Sequence, residues 1–203
     1  MPETRLVLAS SSPRRKELLN QLGVEYLCDP AEIDESQRTG ESPQDYVQRM
    51  ALEKAGAVAV RYQIKEVAIL AADTTVVIDN HVLGKPRDHV DALSILARLS
   101  GRTHRVLTAV CLLYATDTRS DLVATDVEFA SLDRKTCEAY LATEEPWDKA
   151  GAYAIQGLGG AFVRTINGSY SNVVGLPLYQ TWQLLNSIGL ATGLHPASVK
   201  VIP

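Results

Sequence analysis

A run of serines and cations, Ser10–Lys16, follows a short apolar stretch that is typical of a buried strand. Ser12 is a favourable N-cap residue and the proline after it a favourable first helical residue, which places Arg14 and Arg15 in the first turn of a helix. That end of a helix is positive, so each cation costs about 0.3–1 kcal/mol there. Hydroxyls, free backbone N–H groups and guanidinium groups together favour a bound phosphate, which would turn this cost into an attraction. For Lys16 alone, a solvent-exposed position is sufficient.

Two more charged residues interrupt apolar patterns. Lys54 lies on the apolar stripe of a helix predicted over 43–62, where the 3.6-residue period calls for an apolar side chain. Its ammonium either reaches past the core to water or points into a cleft, and the sequence leaves both open. Asp73 separates two predicted strands, 67–70 and 76–78. A buried carboxylate needs hydrogen bonds or a cation, so it either caps a turn or serves as an acid at the end of a parallel strand.

Lys85 lies in a Gly-Lys-Pro step, which is typical of a rigid extended segment. Four cations could then converge on one place: Arg14, Arg15, Lys54 and Lys85. The whole chain is acidic, with a net charge of −4, so such a cluster would be local. A nucleoside triphosphate carries a comparable negative charge, whereas a general nucleic-acid binder has the opposite overall balance. We therefore expect a small anionic substrate and no nucleic-acid partner.

The composition is that of an ordinary globular chain, with 46% hydrophobic and 22% charged residues in 203. Its three cysteines form no CxxC pair and its four histidines show no ligand spacing, which argues against a disulfide framework and a zinc site. The first residues do not resemble a signal peptide, and no apolar segment has the length of a membrane span. We expect one domain over residues 1–203, a cytoplasmic location and no membrane partner. The oligomeric state stays open, with a homodimer as one alternative.

Strand-like and helix-like segments alternate, which predicts an α/β or α+β domain. Segments 106–113 and 123–132 are predicted as paired strands. The step Asn167-Gly168 predicts a hairpin between 162–166 and 170–174. No GxxxxGK[ST] or GxSxG motif occurs, which excludes P-loop and serine-hydrolase chemistry. The glycine-rich segment that starts at Gln156 lacks the complete dinucleotide fingerprint, and we interpret it as a flexible substrate-binding loop.

A series of motifs resembles the Maf family of nucleotide pyrophosphatases, in the family's order and over nearly the whole chain. These motifs are LASSSPRR (8–15), EKA (53–55), ADT (72–74), GKP (84–86), DKAGAY (148–153), IQG (155–157) and GLP (175–177). One of them would be weak evidence, whereas the ordered set is specific. The resemblance implies an α/β, ITPase-like fold: a twisted mixed sheet flanked by helices, with two lobes around a substrate cleft. It also implies a divalent metal, Mg²⁺ or Mn²⁺, and release of pyrophosphate.

The resemblance also assigns roles to residues. Asp73 matches the family's proposed catalytic base, and five residues match its polar cleft: Ser10, Arg14, Arg15, Lys54 and Lys85. Arg14, Thr74 and Gln156 stand at the positions that accompany hydrolysis of dTTP and UTP, and a sister branch that prefers 7-methyl-GTP differs there. The acidic turn 32–35 resembles the second carboxylate site, which gives Asp34 and Asp73 as the predicted metal ligands.

The expected chemistry is attack of water at the α-phosphorus, with the cations neutralising charge on the leaving pyrophosphate. An unperturbed Asp has a pKa of about 3.9, so Asp73 needs a raised pKa or a water made acidic by the metal, and we favour the second. A glutamine amide can pair with one carbonyl and the N3–H of uracil or thymine; Thr74 and Arg14 are the candidates to hold Gln156 in that orientation. Two alternatives remain: a nucleotide-binding regulator of cell division without turnover, and a pyrophosphatase that removes modified nucleotides.

Overall fold

The structure is a computed structural model that describes residues 5–62 and 67–194, and these residues surround one mixed sheet. The strands of this sheet, in chain order, are β1 (Arg5–Leu8), β2 (Tyr26–Cys28), β3 (Val67–Ile78), β4 (His81–Leu83), β5 (Thr103–Tyr114), β6 (Asp117–Phe129) and β7 (Val163–Asn167). They lie in the order β2-β1-β3-β5-β6-β7, and β4 pairs with β3. Only the pairs β1–β2 and β1–β3 are parallel.

The edge of β3 that carries β1 contains a gap. Strand β1 pairs with β3 only as far as Leu70, and β4 pairs with it only from Val76 onward. No strand in the described part of the chain covers this edge over the five residues between them. The opposite edge is covered throughout by β5. The gap therefore leaves the backbone edge of this stretch without a strand partner among the described residues, although every residue in it except Thr74 is buried.

Helices cover both faces of the sheet. The α-helices of the described residues are α1 (Pro13–Gln21), α2 (Pro43–Ala59), α3 (His89–Leu99), α4 (Arg134–Leu141), α5 (Tyr170–Val174) and α6 (Leu178–Ser187). Helices α1 and α6 pack on one face and α2 on the other, while α3 and α4 pack around the far ends of β3 and β5. None of these helices is both long and apolar enough to cross a membrane.

Side-chain caps begin most of these helices, and the cap at Ser12 lies where the sequence predicts it. Ser12, Ser42, Asp88 and Asp133 each accept a hydrogen bond from the backbone N–H three residues later. The predicted α/β class with a mixed sheet between helices is thus confirmed. Helix α2 ends at Ala59, earlier than the predicted Tyr62.

Two predictions about strands are wrong. The segments 67–70 and 76–78 are one strand of 12 residues, because the carboxylate that divides them has a cationic partner and does not break the pairing. The predicted hairpin around Asn167-Gly168 does not form. Residues 170–174 are instead a helix, because the Ser169 hydroxyl caps the N–H of Asn172.

Candidate active site

A cleft of about 480 Å³ opens at the gap in the edge of β3. Its walls come from the β1–α1 segment on one side and from the end of β4 and residues 148–156 on the other. All four predicted cations line this cleft, together with the other predicted polar residues Ser10, Asp73, Thr74 and Gln156. The prediction that these residues meet at one place is confirmed; their roles remain predictions. Asp34 does not line the cleft.

Strand β3 contributes to the cleft on both faces of the sheet. Successive side chains of a strand point to opposite faces, so Asp73 lies on the face covered by α2 and Thr74 on the face covered by α1. Asp73 stands in the middle of β3, three residues beyond the last parallel pair with β1. It therefore lies neither at a turn nor at a strand end, the two alternatives that the sequence left open, but at the gap.

Lys54 bridges two carboxylates. Its Nζ donates to Asp73 Oδ1 at 2.6 Å and lies 2.8 Å from Glu35 Oε1. Lys54 and Asp73 are only 8% and 7% exposed, so of the two alternatives for Lys54 the cleft is correct. Burial alone would raise the pKa of Glu35, but the hydrogen bond and charge of Lys54 outweigh it and lower this pKa. The Glu35 carboxylate is thereby stabilised in its charged form.

Arg15 joins the other side of the cleft. Its Nε donates to the carbonyl of Gly175 at 2.9 Å, and its two terminal nitrogens donate to the hydroxyls of Ser10 and Thr74, both at 3.3 Å. None of these acceptors is a carboxylate. Desolvation lowers the pKa of Arg15, while the charge of Asp73 opposes this shift. The guanidinium is therefore oriented by neutral groups, and its charge stays available for an anion.

Charge in the cleft is positive overall. Five cations and three carboxylates line it, a net charge of +2 in an acidic chain: Arg14, Arg15, Lys54, Lys85 and Lys149 against Glu35, Asp73 and Asp148. Lys149 pairs with Asp148, and Arg14 is 4.0 Å from the same carboxylate. Lys85 is exposed at the cleft rim. The backbone N–H of Gly151 donates to the carbonyl of Gly84 at 3.1 Å, which holds the segments of Lys85 and Lys149 together.

The acidic turn contributes Glu35 to the cleft rather than Asp34. Asp34 is exposed, and its carboxylate accepts from the backbone N–H of Ser36 at 2.9 Å. Tyr46 donates to the carbonyl of Glu35 at 2.9 Å, while Arg49 donates to the carbonyl of Ser36 at 3.0 Å. Helix α2 thus fixes the turn that carries the second carboxylate. The carboxylate that accompanies Asp73 in the cleft is therefore Glu35, the neighbour of the predicted Asp34.

Two carboxylates fit a divalent cation that is held jointly by protein and substrate. Magnesium is usually bound by one or two carboxylates together with substrate phosphates, rather than by a complete cage of side chains. Asp73 and Glu35 both approach the Lys54 ammonium, so one cation already lies between them. Residues 5–62 and 67–194 contain no group of three or more His, Cys, Asp or Glu side chains that could hold a metal.

Gln156 lines the cleft from the segment that leads into a 3₁₀ helix at Leu158–Phe162. Its side chain is exposed. Thr74, predicted to orient it, instead shares its hydroxyl with Arg15 and with Thr108 at 3.0 Å. The backbone around Gln156 is held instead by Glu145 and Tyr140.

Among the cleft residues that are missing from the predicted set, the sequence contains a signal for three. Glu35 is next to the predicted ligand Asp34, and the register of the turn determines which of the two side chains enters the cleft. Tyr46 is eight residues before Lys54, which places both on one side of α2. Lys149 belongs to the DKAGAY motif, where its charge is the signal for a further cation in the cleft.

An α/β protein with a cationic cleft and two carboxylates at its centre belongs to the class that binds phosphorylated substrates. The sequence profile described as Maf-like protein matches residues 5–188, and the chain belongs to this family. Its relatives include the dTTP/UTP pyrophosphatase of Shewanella oneidensis, 52% identical over 91% of this chain and 98% of that protein. Another is the dTTP/UTP pyrophosphatase of Escherichia coli K12, 51% identical over 91% and 93%. The family predicted from the motifs is therefore confirmed.

A solved structure also aligns with the chain. It is the nucleoside-triphosphatase / dITP/XTP pyrophosphatase of Mycobacterium abscessus, with 16% identity and a TM-score of 0.40. The alignment covers 64% of this chain and 76% of that one. A likeness this weak has no bearing on the site.

Proposed function

We propose that this protein is a nucleoside triphosphate pyrophosphatase that hydrolyses dTTP and UTP to the monophosphate and pyrophosphate. The observation that carries the proposal is the buried pair of Asp73 and Lys54 at the centre of a cleft whose net charge is +2. The names of the relatives, which match nearly the full chain, support the two substrates.

The reaction needs a base and a positive environment for the leaving group. Lys54 fixes the carboxylate of Asp73 through Oδ1, and Oδ2 has no partner in the described residues. Asp73 Oδ2 accepts a proton from the attacking water, whose oxygen forms the new bond to the α-phosphorus. The bond between that phosphorus and the bridging oxygen breaks, and pyrophosphate leaves with the electron pair. Arg14, Arg15 and Lys85 stabilise the negative charge that develops there.

A divalent cation, Mg²⁺ or Mn²⁺, completes the proposed site. Asp73 and Glu35 are the residues that would hold it, with Glu35 in place of the predicted Asp34. Such a cation supplies charge neutralisation and acidifies water. Lys54 then keeps the two carboxylates close together between turnovers.

The preference for uracil and thymine rests on Gln156. Its amide has one donor and one acceptor for the base edge, which fits N3–H and a neighbouring carbonyl. One amide also suits cytosine when it flips, so rejection of CTP is expected to be partial. The cytoplasmic location and the question of a homodimer stay predictions from the sequence.

The deciding experiment incubates the protein with a panel of nucleoside triphosphates and Mg²⁺ or Mn²⁺, and measures pyrophosphate and orthophosphate separately. The proposal requires pyrophosphate from dTTP and UTP and loss of activity in EDTA. Orthophosphate with a nucleoside diphosphate, or full activity in EDTA, would contradict it. Tight binding without turnover would favour the non-catalytic regulator, and a modified nucleotide as best substrate would favour the pyrophosphatase that removes such nucleotides.

A further inference from the structure

The Glu145 carboxylate lies behind the cleft and binds the segment that carries Gln156. Its Oε2 accepts from the backbone N–H of Leu158 at 2.8 Å. Its Oε1 accepts from the N–H of Gly159 at 2.9 Å and from the hydroxyl of Tyr140 at 2.8 Å. One carboxylate therefore uses both oxygens to fix the two backbone groups that follow Gln156-Gly157.

Tyr140 fixes the other end of the same segment. Its hydroxyl, while donating to Glu145, accepts from the N–H of Ala154 at 3.1 Å. The segment between Ala154 and Gly159 is thus attached at both ends to one hydrogen-bonded pair of side chains. Because Gln156 has no side-chain hydrogen bond of its own in the described residues, its place in the cleft depends on the backbone that carries it.

The glycines of the segment fit this attachment. A Cβ at position 157 would lie 2.2 Å from Glu145 Oε2, and one at position 159 would lie 2.8 Å from the Tyr140 hydroxyl. Glu145 and Tyr140 therefore occupy the space that any larger residue at positions 157 and 159 would need. Burial alone would raise the pKa of Glu145, but the hydrogen bonds from Gly159, Tyr140 and Leu158 outweigh it and lower the pKa. The carboxylate is held in its charged, acceptor-only form.

We infer that Glu145 is a positioning residue for base selection, which holds Gln156 in the cleft without touching the substrate. This inference rests on the proposed function, because it assumes that Gln156 contacts the base. Without the attachment, Gln156 would sample several positions and its amide would no longer favour uracil over cytosine. Cleavage chemistry at Asp73 would be unaffected, since no contact joins Glu145 to the carboxylate pair.

The test compares kcat and KM for UTP and CTP in the wild type and in Glu145→Gln, Gln156→Ala and the double variant. The amide of Glu145→Gln turns a donor toward one of the two N–H groups that the carboxylate accepts from. We expect an increase in KM for UTP of about 10-fold, the size of a lost charged hydrogen bond, with kcat within about 3-fold of wild type. The UTP-to-CTP ratio of kcat/KM should fall to that of Gln156→Ala, and the double variant should fall no further. Glu144→Gln is the matched control, because Glu144 is the adjacent residue in the chain and is exposed.

A second readout is independent of activity. Hydrogen exchange of the backbone N–H groups of Leu158 and Gly159 should accelerate about 10-fold in Glu145→Gln and stay unchanged in Glu144→Gln. Tyr140→Phe, which leaves the carboxylate in place, should accelerate exchange at Ala154. An unchanged nucleotide ratio in Glu145→Gln, where Gln156→Ala lowers it, would overturn the inference, as would unchanged exchange. Wild-type protein that forms no pyrophosphate from UTP would refute the proposed function instead, and exchange would still test the attachment.

Discussion

The residues that we propose to bind the phosphates and those that we propose to bind the base, called here the phosphate end and the base end of the cleft, are held in different ways. At the phosphate end the functional side chains stand on regular elements: Asp73 on β3, Lys54 on α2 and Arg15 on α1. At the base end Gln156 stands on an irregular segment, which is held by contacts from Glu145 and Tyr140 to its backbone. The phosphate end is thus positioned by secondary structure and the base end by individual hydrogen bonds.

Because of this difference, substitutions at the two ends should affect different properties of the protein. A change at the phosphate end alters a buried charge and should affect the reaction of every nucleotide. A change at the base end alters a loop and should affect the choice among nucleotides while leaving the chemistry in place. The following experiments test this division, from the largest expected effect to the smallest.

Asp73→Asn should lower kcat for all nucleotides by about 10³-fold, the size typical of a lost general base. The amide still accepts from Lys54, so the fold and nucleotide binding should remain. Steady-state kinetics with UTP and GTP, together with a melting curve and a binding titration, measure the three quantities. Asp126→Asn, at a partly exposed carboxylate paired with Arg105, is the control. A kcat close to wild type would make Asp73 structural.

His104 is a buried core residue in contact with a residue that lines the cleft, and it should make the stability of the fold sensitive to acid. Its Nε2 shares a hydrogen bond of 2.8 Å with the Tyr153 hydroxyl, and Tyr153 lines the cleft. Burial lowers the pKa of His104 from 6.5 to about 4. Between these values the unfolded chain binds a proton that the folded chain does not, so the free energy of unfolding falls as the pH falls.

The size of this loss is on the order of 3 kcal/mol over that range. Urea denaturation at pH 7 and pH 4 measures the loss in free energy of unfolding. The variant His104→Gln keeps a hydrogen-bonding side chain that does not titrate, so its loss between these pH values should be smaller than that of the wild type by about this amount. Equal losses in the two proteins would mean that other groups determine the acid sensitivity.

Arg15→Ala should raise KM for every triphosphate by about 30-fold, equivalent to about 2 kcal/mol, because a hydrogen-bonded charge is removed from the phosphate end. The discrimination between UTP and CTP should not change. Added salt should weaken wild-type binding more than binding by the variant, which has one charge fewer. Arg134→Ala, at an exposed arginine of α4, controls for net charge. An altered UTP-to-CTP ratio would contradict the division between the two ends.

Gln156→Glu should lower kcat/KM for UTP by about 10-fold and leave the kcat of the reaction nearly unchanged. The carboxylate replaces an amide donor with an acceptor that faces the O4 carbonyl, at a cost of about 1–1.5 kcal/mol. Comparing UTP, dTTP, CTP and GTP in wild type and variant measures it. GTP as the best wild-type substrate would refute the predicted preference and leave the family unaffected.

The phosphate end was largely predictable from the sequence because its residues break a periodic pattern. Lys54 stands on an apolar stripe and Asp73 within an apolar run, and both turned out to be buried and paired. Two cations in a first helical turn likewise indicated the site of Arg15. Periodicity reveals such residues because regular elements fix the direction of each side chain.

The remainder could not be predicted because it depends on contacts between distant or irregular segments. The turn of Asp34 and Glu35 has no repeat that fixes its register, so the carboxylate directed into the cleft was assigned one residue too early. The predicted hairpin followed a local turn signal, which the cap from Ser169 overrides. The attachment of the base end depends on Glu145, whose partners are 13 and 14 residues away.

The hydrogen bond from Arg15 to the carbonyl of Gly175 also has a consequence for biosynthesis. The two residues are separated by 160 positions, whereas Lys54 and Asp73 are separated by only 19. At about 5–20 residues per second, a ribosome adds Gly175 roughly 8–30 s after Arg15. Both members of the Lys54–Asp73 ion pair are therefore synthesised well before the arginine has its carbonyl partner. A nucleotide meets a finished cleft only after nearly all of the described chain has been translated.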